Sequence, residues 1–225
     1  MGGASALKSY LDGFKKYGKP LWLTEFCAWD RDNISAVSQM EYMAEAINLL
    51  EADADVFRYA WFIPRGNGES EVHNSLLTSR VPIELTDLGA VFVNMSTQDA
   101  SLYYETGTVI PAEHYRSASG SIHLRPVTDV SGILEVYNLR TGNSLTYQVE
   151  AASAGSFGLQ LRYSSFADSS VEISTSEGVC TLDLENSGNE WRTVTAQIEL
   201  PAGRSTVSVA GTGSSGVCLN WLLID

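Results

Sequence analysis

Basic residues are scarce in this chain: 14 Lys and Arg stand against 27 Asp and Glu, for a formal net charge of −13. Nucleic-acid binding relies on Lys and Arg to displace counterions from phosphates, so this balance argues against such a partner. Cysteine is equally sparse, and three residues are too few for a disulfide scaffold. Cys180 and Cys218 share one half of the chain and could pair, while Cys27 stands apart; three buried thiols explain the set at least as well. His114 and His123 lack the spacing of zinc ligands. There is no phosphate loop, CxxC pair or Ser-His-Asp pattern, so no catalytic cofactor is expected. No apolar run approaches the ~18 residues of a membrane span, so no membrane partner is expected. Met1-Gly2-Gly3-Ala4 does not open a signal peptide.

What remains is an ordinary globular composition, 44% hydrophobic over 225 residues, enough for one large domain or two small ones. The chain starts almost directly in a helical pattern, with Leu7, Tyr10, Leu11 and Phe14 at helical spacing up to Gly18. The stretch Lys19-Pro20-Leu21-Trp22-Leu23-Thr24-Glu25-Phe26 follows. Its apolar run reads as a strand buried on both faces of a parallel sheet, with Glu25 near its C-terminal end. A buried carboxylate is costly unless paired or used, and strand C-termini carry catalytic groups in parallel barrels. Glu25 is therefore the first catalytic candidate.

A helix over residues 35–50 comes next, with Val37, Met40, Met43, Ala44, Ile47 and Leu50 at helical spacing. A second apolar strand covers residues 56–63 and stops at Pro64, and Thr86 or Asp87 caps a last helix through Val93. Alternating helix and strand signify parallel α/β structure. Two strands alone leave both sheet edges open, so this half is expected to be the closing part of something larger. From Val109 onward the pattern changes to short period-two runs such as residues 144–150, 157–163 and 194–200, broken by Gly, Ser, Asn and Asp. That pattern reads as an antiparallel β-sandwich large enough to bury its own core. The expected domains are 1–97 and 109–225, joined by a linker at 98–108.

Both halves resemble known families. Gly18-Lys19-Pro20-Leu21-Trp22-Leu23-Thr24-Glu25-Phe26, Tyr42-Met43-Ala44-Glu45-Ala46 and Arg58-Tyr59-Ala60-Trp61-Phe62 resemble the end of a glycoside hydrolase family 128 catalytic domain. The resemblance implies the C-terminal portion of a (β/α)8 TIM barrel acting on β-1,3-glucan by a retaining mechanism. Residues 21–26 become strand seven and 56–63 strand eight, Glu25 the nucleophile and Trp61 a sugar platform. Read from the residues alone, the rings of Trp29 and Trp61 are divided between packing and sugar stacking, whereas Trp22 is expected to pack against helices. A retaining enzyme needs a second carboxyl about 5 Å away as acid/base. The resemblance puts that group on strand four, which this chain does not contain; Glu41, Glu45 and Glu51 lie on a helix outside the barrel.

The second half resembles carbohydrate-binding module family 6, an all-β jelly-roll sandwich that binds glycans and usually holds a structural calcium. The matching words are Ile110-Pro111-Ala112-Glu113-His114-Tyr115, Gly142-Asn143-Ser144-Leu145-Thr146-Tyr147, Trp191-Arg192-Thr193-Val194, Leu200-Pro201-Ala202-Gly203 and Leu219-Asn220-Trp221. Pro111 replaces the first of two acidic residues, leaving Glu113 as the calcium ligand. Cys218 stands where a sugar-bonding Asn is often found, and Asn220 follows as a substrate-binding candidate. Gly188 and Asn189 occupy the region of a missing tryptophan. Tyr137 is the candidate stacking ring, while Trp191 and Trp221 read as packing. The combined expectation is a fragment of a secreted or extracellular β-glucan hydrolase with an attached binding module. Its rival is a non-catalytic carbohydrate-binding protein whose barrel remnant is only structural.

Overall fold

The computed structural model describes residues 3–29, 34–66, 73–79, 81–96 and 98–225. It divides into two compact units, residues 1–93 and 94–225. Thr97, taken from the sequence as the last residue of the first domain, lies outside the described residues.

The first unit runs helix α1 (Ala4–Lys15), strand β1 (Leu21–Phe26), helix α2 (Ala36–Ala52), strand β2 (Val56–Trp61) and helix α3 (Asp87–Asn94). The two strands pair in parallel, with Leu21 opposite Val56 and Phe26 opposite Trp61. Ser35 caps α2 by accepting the Ser38 N–H at 3.1 Å. Thr86, rather than Asp87, caps α3, its hydroxyl accepting the Gly89 N–H at 3.0 Å. Helix α2 buries Met40, Met43, Ala44, Ile47 and Leu50 of the stripe its periodicity predicts, while Val37 in its first turn is exposed. It also buries Gln39, whose amide grips the Ala28 backbone twice, at 3.2 and 3.1 Å, and so fixes the chain leaving β1.

The strands depart from the sequence reading. They are not buried on both faces: Trp22, Thr24 and Glu25 are exposed on β1, and Phe57, Arg58 and Ala60 on β2. Trp22 does not pack against helices; it is 67% exposed, and Phe57 is 63% exposed. What the first unit displays is a small helix and strand layer with an uncovered aromatic surface.

The second unit is a β-sandwich. In chain order its strands are β3 (Tyr104–Glu105), β4 (Val109–Pro111), β5 (Ser117–Ser119), β6 (His123–Pro126), β7 (Leu134–Leu139) and β8 (Ser144–Ala151). They continue with β9 (Gly155–Ser165), β10 (Ser169–Ser174), β11 (Val179–Leu184), β12 (Arg192–Leu200), β13 (Gly203–Gly211) and β14 (Val217–Ile224). One sheet has the order β11-β10-β13-β8-β3 with β5 also on β8; the other is β12-β9-β14-β7-β6 with β4 also on β14. All pairings are antiparallel except β3 with β8. Residues 98–108, read as a linker, carry β3 and bond further through Thr106 N–H to Glu150 O and Gly107 N–H to Ile224 O, so they belong to the sandwich.

Alternation builds the core. Leu145, Tyr147 and Val149 face inward from one sheet, and Leu159, Leu161, Leu219 and Leu222 from the other, each no more than 1% exposed. Each such Leu or Val contributes roughly 1.5–3 kcal/mol before chain entropy is set against it. Strand β14 breaks its alternation once. Its register against β9 shifts between Leu219 and Trp221, a bulge that holds Asn220, and against β7 it shifts between Val217 and Leu219.

Candidate functional site

The outward face of the second sheet concentrates polar and aromatic chemistry. Its register lines up one row of side chains across the strands. Trp191, just ahead of β12, extends the pairing of Arg192 with Tyr163 and so lies beside Ser164 of β9. Ser164 is opposite Cys218 of β14, and Tyr137 of β7 is opposite His123 of β6. Arg125 ties the last strands together: its guanidinium lies 4.6 Å from the Tyr137 ring centroid and 3.8 Å from the Cys218 sulfur. Five strands at about 4.8 Å spacing make this strip roughly 19 Å long. Small Ser164 and Cys218 form its floor, with rings toward both ends.

The polar groups are held rigidly. Glu135 is fully buried; one oxygen accepts Arg125 Nε at 2.6 Å and the other accepts the Thr128 N–H at 3.1 Å. The Trp191 indole N–H donates to the Thr128 hydroxyl at 3.1 Å. Burial, with the Glu135 carboxylate adding to it, pushes the Cys218 thiol up, so it stays a neutral thiol. All three cysteines are free, and Cys180 and Cys218 are not bridged.

Residues 127–133 form a loop from β6 to β7 that lies over this same face. The Asp129 carboxylate accepts both Arg162 Nε at 2.8 Å and the second Arg162 nitrogen at 3.0 Å, a bidentate pair. It also accepts the Asn220 amide at 2.9 Å, and that amide's second N–H goes to Ser131 O at 2.9 Å. The Arg162 guanidinium is the main cause holding the Asp129 carboxyl down at about 2. Asn220 is therefore not the sugar contact expected from sequence. It is 1% exposed, and both amide hydrogens are engaged within the fold.

In the first unit, the parallel register brings the C-terminal ends of β1 and β2 side by side. Glu25 is exposed there, not buried as its strand suggested, because the face it points from is uncovered. Trp61 cannot serve as an open platform in this arrangement: it is 5% exposed, packs edge-on against Phe26 at 5.1 Å, and donates its indole N–H to Asn74 O at 2.8 Å. Trp29 remains 39% exposed, tilted against Phe62 at 6.1 Å. Asn74, not predicted, is buried and donates to Phe62 O at 3.0 Å, locking the chain beyond β2.

Glu113 was the expected calcium ligand. It is 2% exposed; one oxygen accepts the Leu134 N–H at 3.3 Å and the other has no hydrogen-bond partner. Fully buried Tyr115 follows closely in sequence, and fully buried Tyr147 lies near in space, its hydroxyl donating to Ala112 O at 2.8 Å. Among the described residues no three acidic, His or Cys side chains gather anywhere as a metal set. Calcium takes six to eight oxygens, backbone carbonyls among them, and this carboxylate supplies two at most. Burial instead raises the Glu113 carboxyl to about 7, close to neutral pH.

Residues 111–225, more than half of the chain, match the model of Carbohydrate binding module (family 6). The chain belongs to that family. Its family 6 module has the fold of a beta-1,3-glucan binding CBM6 from Bacillus halodurans, at 22% identity and TM-score 0.50, over 55% of this chain and 98% of that one. The module of Cellvibrio mixtus lichenase 5A, solved with cellotriose, aligns at 23% identity and TM-score 0.48 over 52% and 95% of the two chains. Ahead of the module, residues 1–92 match Glycosyl hydrolase catalytic core. The chain is also similar to Alkali-sensitive linkage protein 1 of Schizosaccharomyces pombe, 29% identical over 93 residues. The alignment covers 40% of this chain and 18% of that protein, so the chain spans less than a fifth of that relative. A segment that matches a glycosyl hydrolase catalytic core thus precedes the carbohydrate-binding module of family 6.

Within the module, Tyr137 is a half-exposed ring with Arg125 over it and Cys218 at the Arg125 guanidinium, while Trp191 lies toward the other end of the row. Trp191 was read from sequence as packing because it sits at the head of an alternating run. Its half-exposed indole lies on the outward side instead. The only sequence signal for this was its parity with the exposed Thr193.

Proposed function

We propose that the chain grips a β-glucan chain, in particular β-1,3-glucan, on the outward face of the second sandwich sheet. The observation that carries this reading is the row Trp191, Ser164, Cys218, Tyr137 and His123, rings toward the ends and small groups between. Pyranose rings present apolar C–H patches that suit aromatic faces, while guanidinium and hydroxyl groups match the sugar hydroxyls. Arg125 borders the row and supplies guanidinium N–H groups beyond the Nε–H that it gives to Glu135. Affinity electrophoresis through gels holding laminarin, xylan or a soluble cellulose derivative tests it. Retardation by laminarin, lost in Tyr137→Ala and Trp191→Ala together, supports the reading. Free migration in all three gels refutes it.

For the first unit we propose the closing part of a retaining glycosidase barrel, from a parent protein that is secreted or extracellular. In that role Glu25 attacks the anomeric carbon, a carboxyl from elsewhere protonates the leaving oxygen, and water resolves the glycosyl-enzyme. The exposed Glu25 at the joined strand ends supports this, as does the match of residues 1–92 to a catalytic core. The module then holds polysaccharide near the reaction centre and raises its effective concentration. A non-catalytic reading, with the helix and strand layer only a support, is favoured by the buried Trp61.

A further inference from the structure

The loop 127–133 is built with far more rigidity than a surface connection needs. Asp129, with its side chain 3% exposed, receives three side-chain hydrogen bonds, and the Val130 N–H closes on the same carboxylate at 2.8 Å. Thr128 is fixed from both sides by Glu135 and Trp191. Val127 N–H bonds Ile133 O at 3.0 Å, closing the neck of the loop. Gly132 has φ +96°, and a Cβ there would stand 2.5 Å from Asn220 Oδ1, so only glycine lets the loop lie this close to its anchor. Asn220 itself sits on the bulge of β14, an extra residue placed where the loop lands.

What this framework presents is apolar. Val130 is 99% exposed and Ile133 55% exposed. A single exposed valine is unremarkable by itself. A valine held out by a buried ion pair, a doubly bonded amide and a tight glycine is different, because ordering those groups costs conformational entropy that its exposure does not return. The loop also meets the aromatic row directly, through the Thr128 hydroxyl and the Trp191 indole.

We infer that loop 127–133 is a preformed apolar wall of the glycan site, with Val130 and Ile133 contacting a C–H face of the bound sugar chain. Asp129, Arg162 and Asn220 are positioning residues that hold it in place. This rests on the glycan-binding reading and adds a specificity determinant to it. Preorganisation makes the arrangement effective: a wall already ordered adds contact area without an ordering cost on binding.

The full chain tests this in laminarin gels and by calorimetry with a β-1,3-gluco-oligosaccharide. Val130→Asp, at a fully solvated position, leaves the melting temperature unchanged and weakens binding at least tenfold; Val130→Ile keeps binding. Asp129→Asn and Asn220→Ala weaken binding and speed hydrogen exchange of the Val130 and Ser131 amides. Wild-type retardation with an equally retarded, folded Val130→Asp overturns the wall while leaving glycan binding intact. No retardation of the wild type overturns both.

Discussion

The Asn220 amide donates to Asp129 Oδ2 at 2.9 Å, the same oxygen that accepts Arg162 Nε at 2.8 Å, while a second Arg162 nitrogen reaches Oδ1 at 3.0 Å. One residue lies on the last strand, one on a loop and one on β9, so three distant stretches of sequence meet in a single charge-assisted cluster. The Arg162 side chain is 23% exposed and that of Asp129 3%, which shields the pair from the screening that weakens surface ion pairs.

Acid should release this loop. A carboxyl whose folded value lies below its unfolded value stabilises the fold above the unfolded value and loses that contribution as pH falls through the folded one. Asp129 goes from 3.8 to about 2, so its contribution, about 2 kcal/mol, fades between pH 4 and 2. Melting temperatures across that range should fall less for Asp129→Asn than for the wild type.

Glu113 should behave in the opposite sense. Its folded value is raised from 4.5 to about 7, so the folded state holds the proton more tightly. Its stabilising neutral form is complete below 4.5 and is lost as pH rises to about 7, a change of at most about 3 kcal/mol. Glu113→Gln should flatten that slope in denaturant titrations at successive pH values.

Chelator should leave the sandwich unmoved. With a lone carboxylate at position 113 and no metal set among the described residues, excess EDTA is expected to shift the melting temperature by less than the scatter of repeats. A drop reversed by calcium would contradict that.

Hydrolysis should need more than Glu25. This chain is expected to release no reducing sugar from laminarin, because the partnering acid is proposed to come from elsewhere. Turnover by the chain that disappears in Glu25→Gln would show that the acid lies within these residues.

The bare aromatic surface of the first unit should bind a hydrophobic dye. Trp22→Lys with Phe57→Glu removes two exposed rings, and fluorescence of the added dye should fall severalfold with little change in stability.

Much of this was legible beforehand. The α2 stripe from Met40 to Leu50 and the period-two runs of β8, β9 and β12 report directly which side meets the core, so those elements fall where expected. The strand Leu21–Phe26 was legible in extent but not in burial, since apolar content states what a strand can bury and not what covers it. Trp61 stayed open between packing and stacking for a related reason: a ring at a strand end has the same letter whether it stacks a sugar or donates to Asn74 O. Asn220 was expected to bond sugar, and its amide bonds Asp129 and Ser131 instead. Its two acceptors, Asp129 and Ser131, lie about ninety residues away, a separation that local patterns do not encode.

Val217 and Leu219 face the core ahead of Asn220, and Leu222 and Ile224 face it afterwards, all 2% exposed or less. Removing Asn220 alone would restore strict alternation and send the same four side chains inward. The interior therefore has no need of that residue, and a variant lacking it should still form the sandwich while its loop swings free. In evolutionary terms such a position is an insertion silent to the scaffold, where a recognition surface can be added or withdrawn in one step.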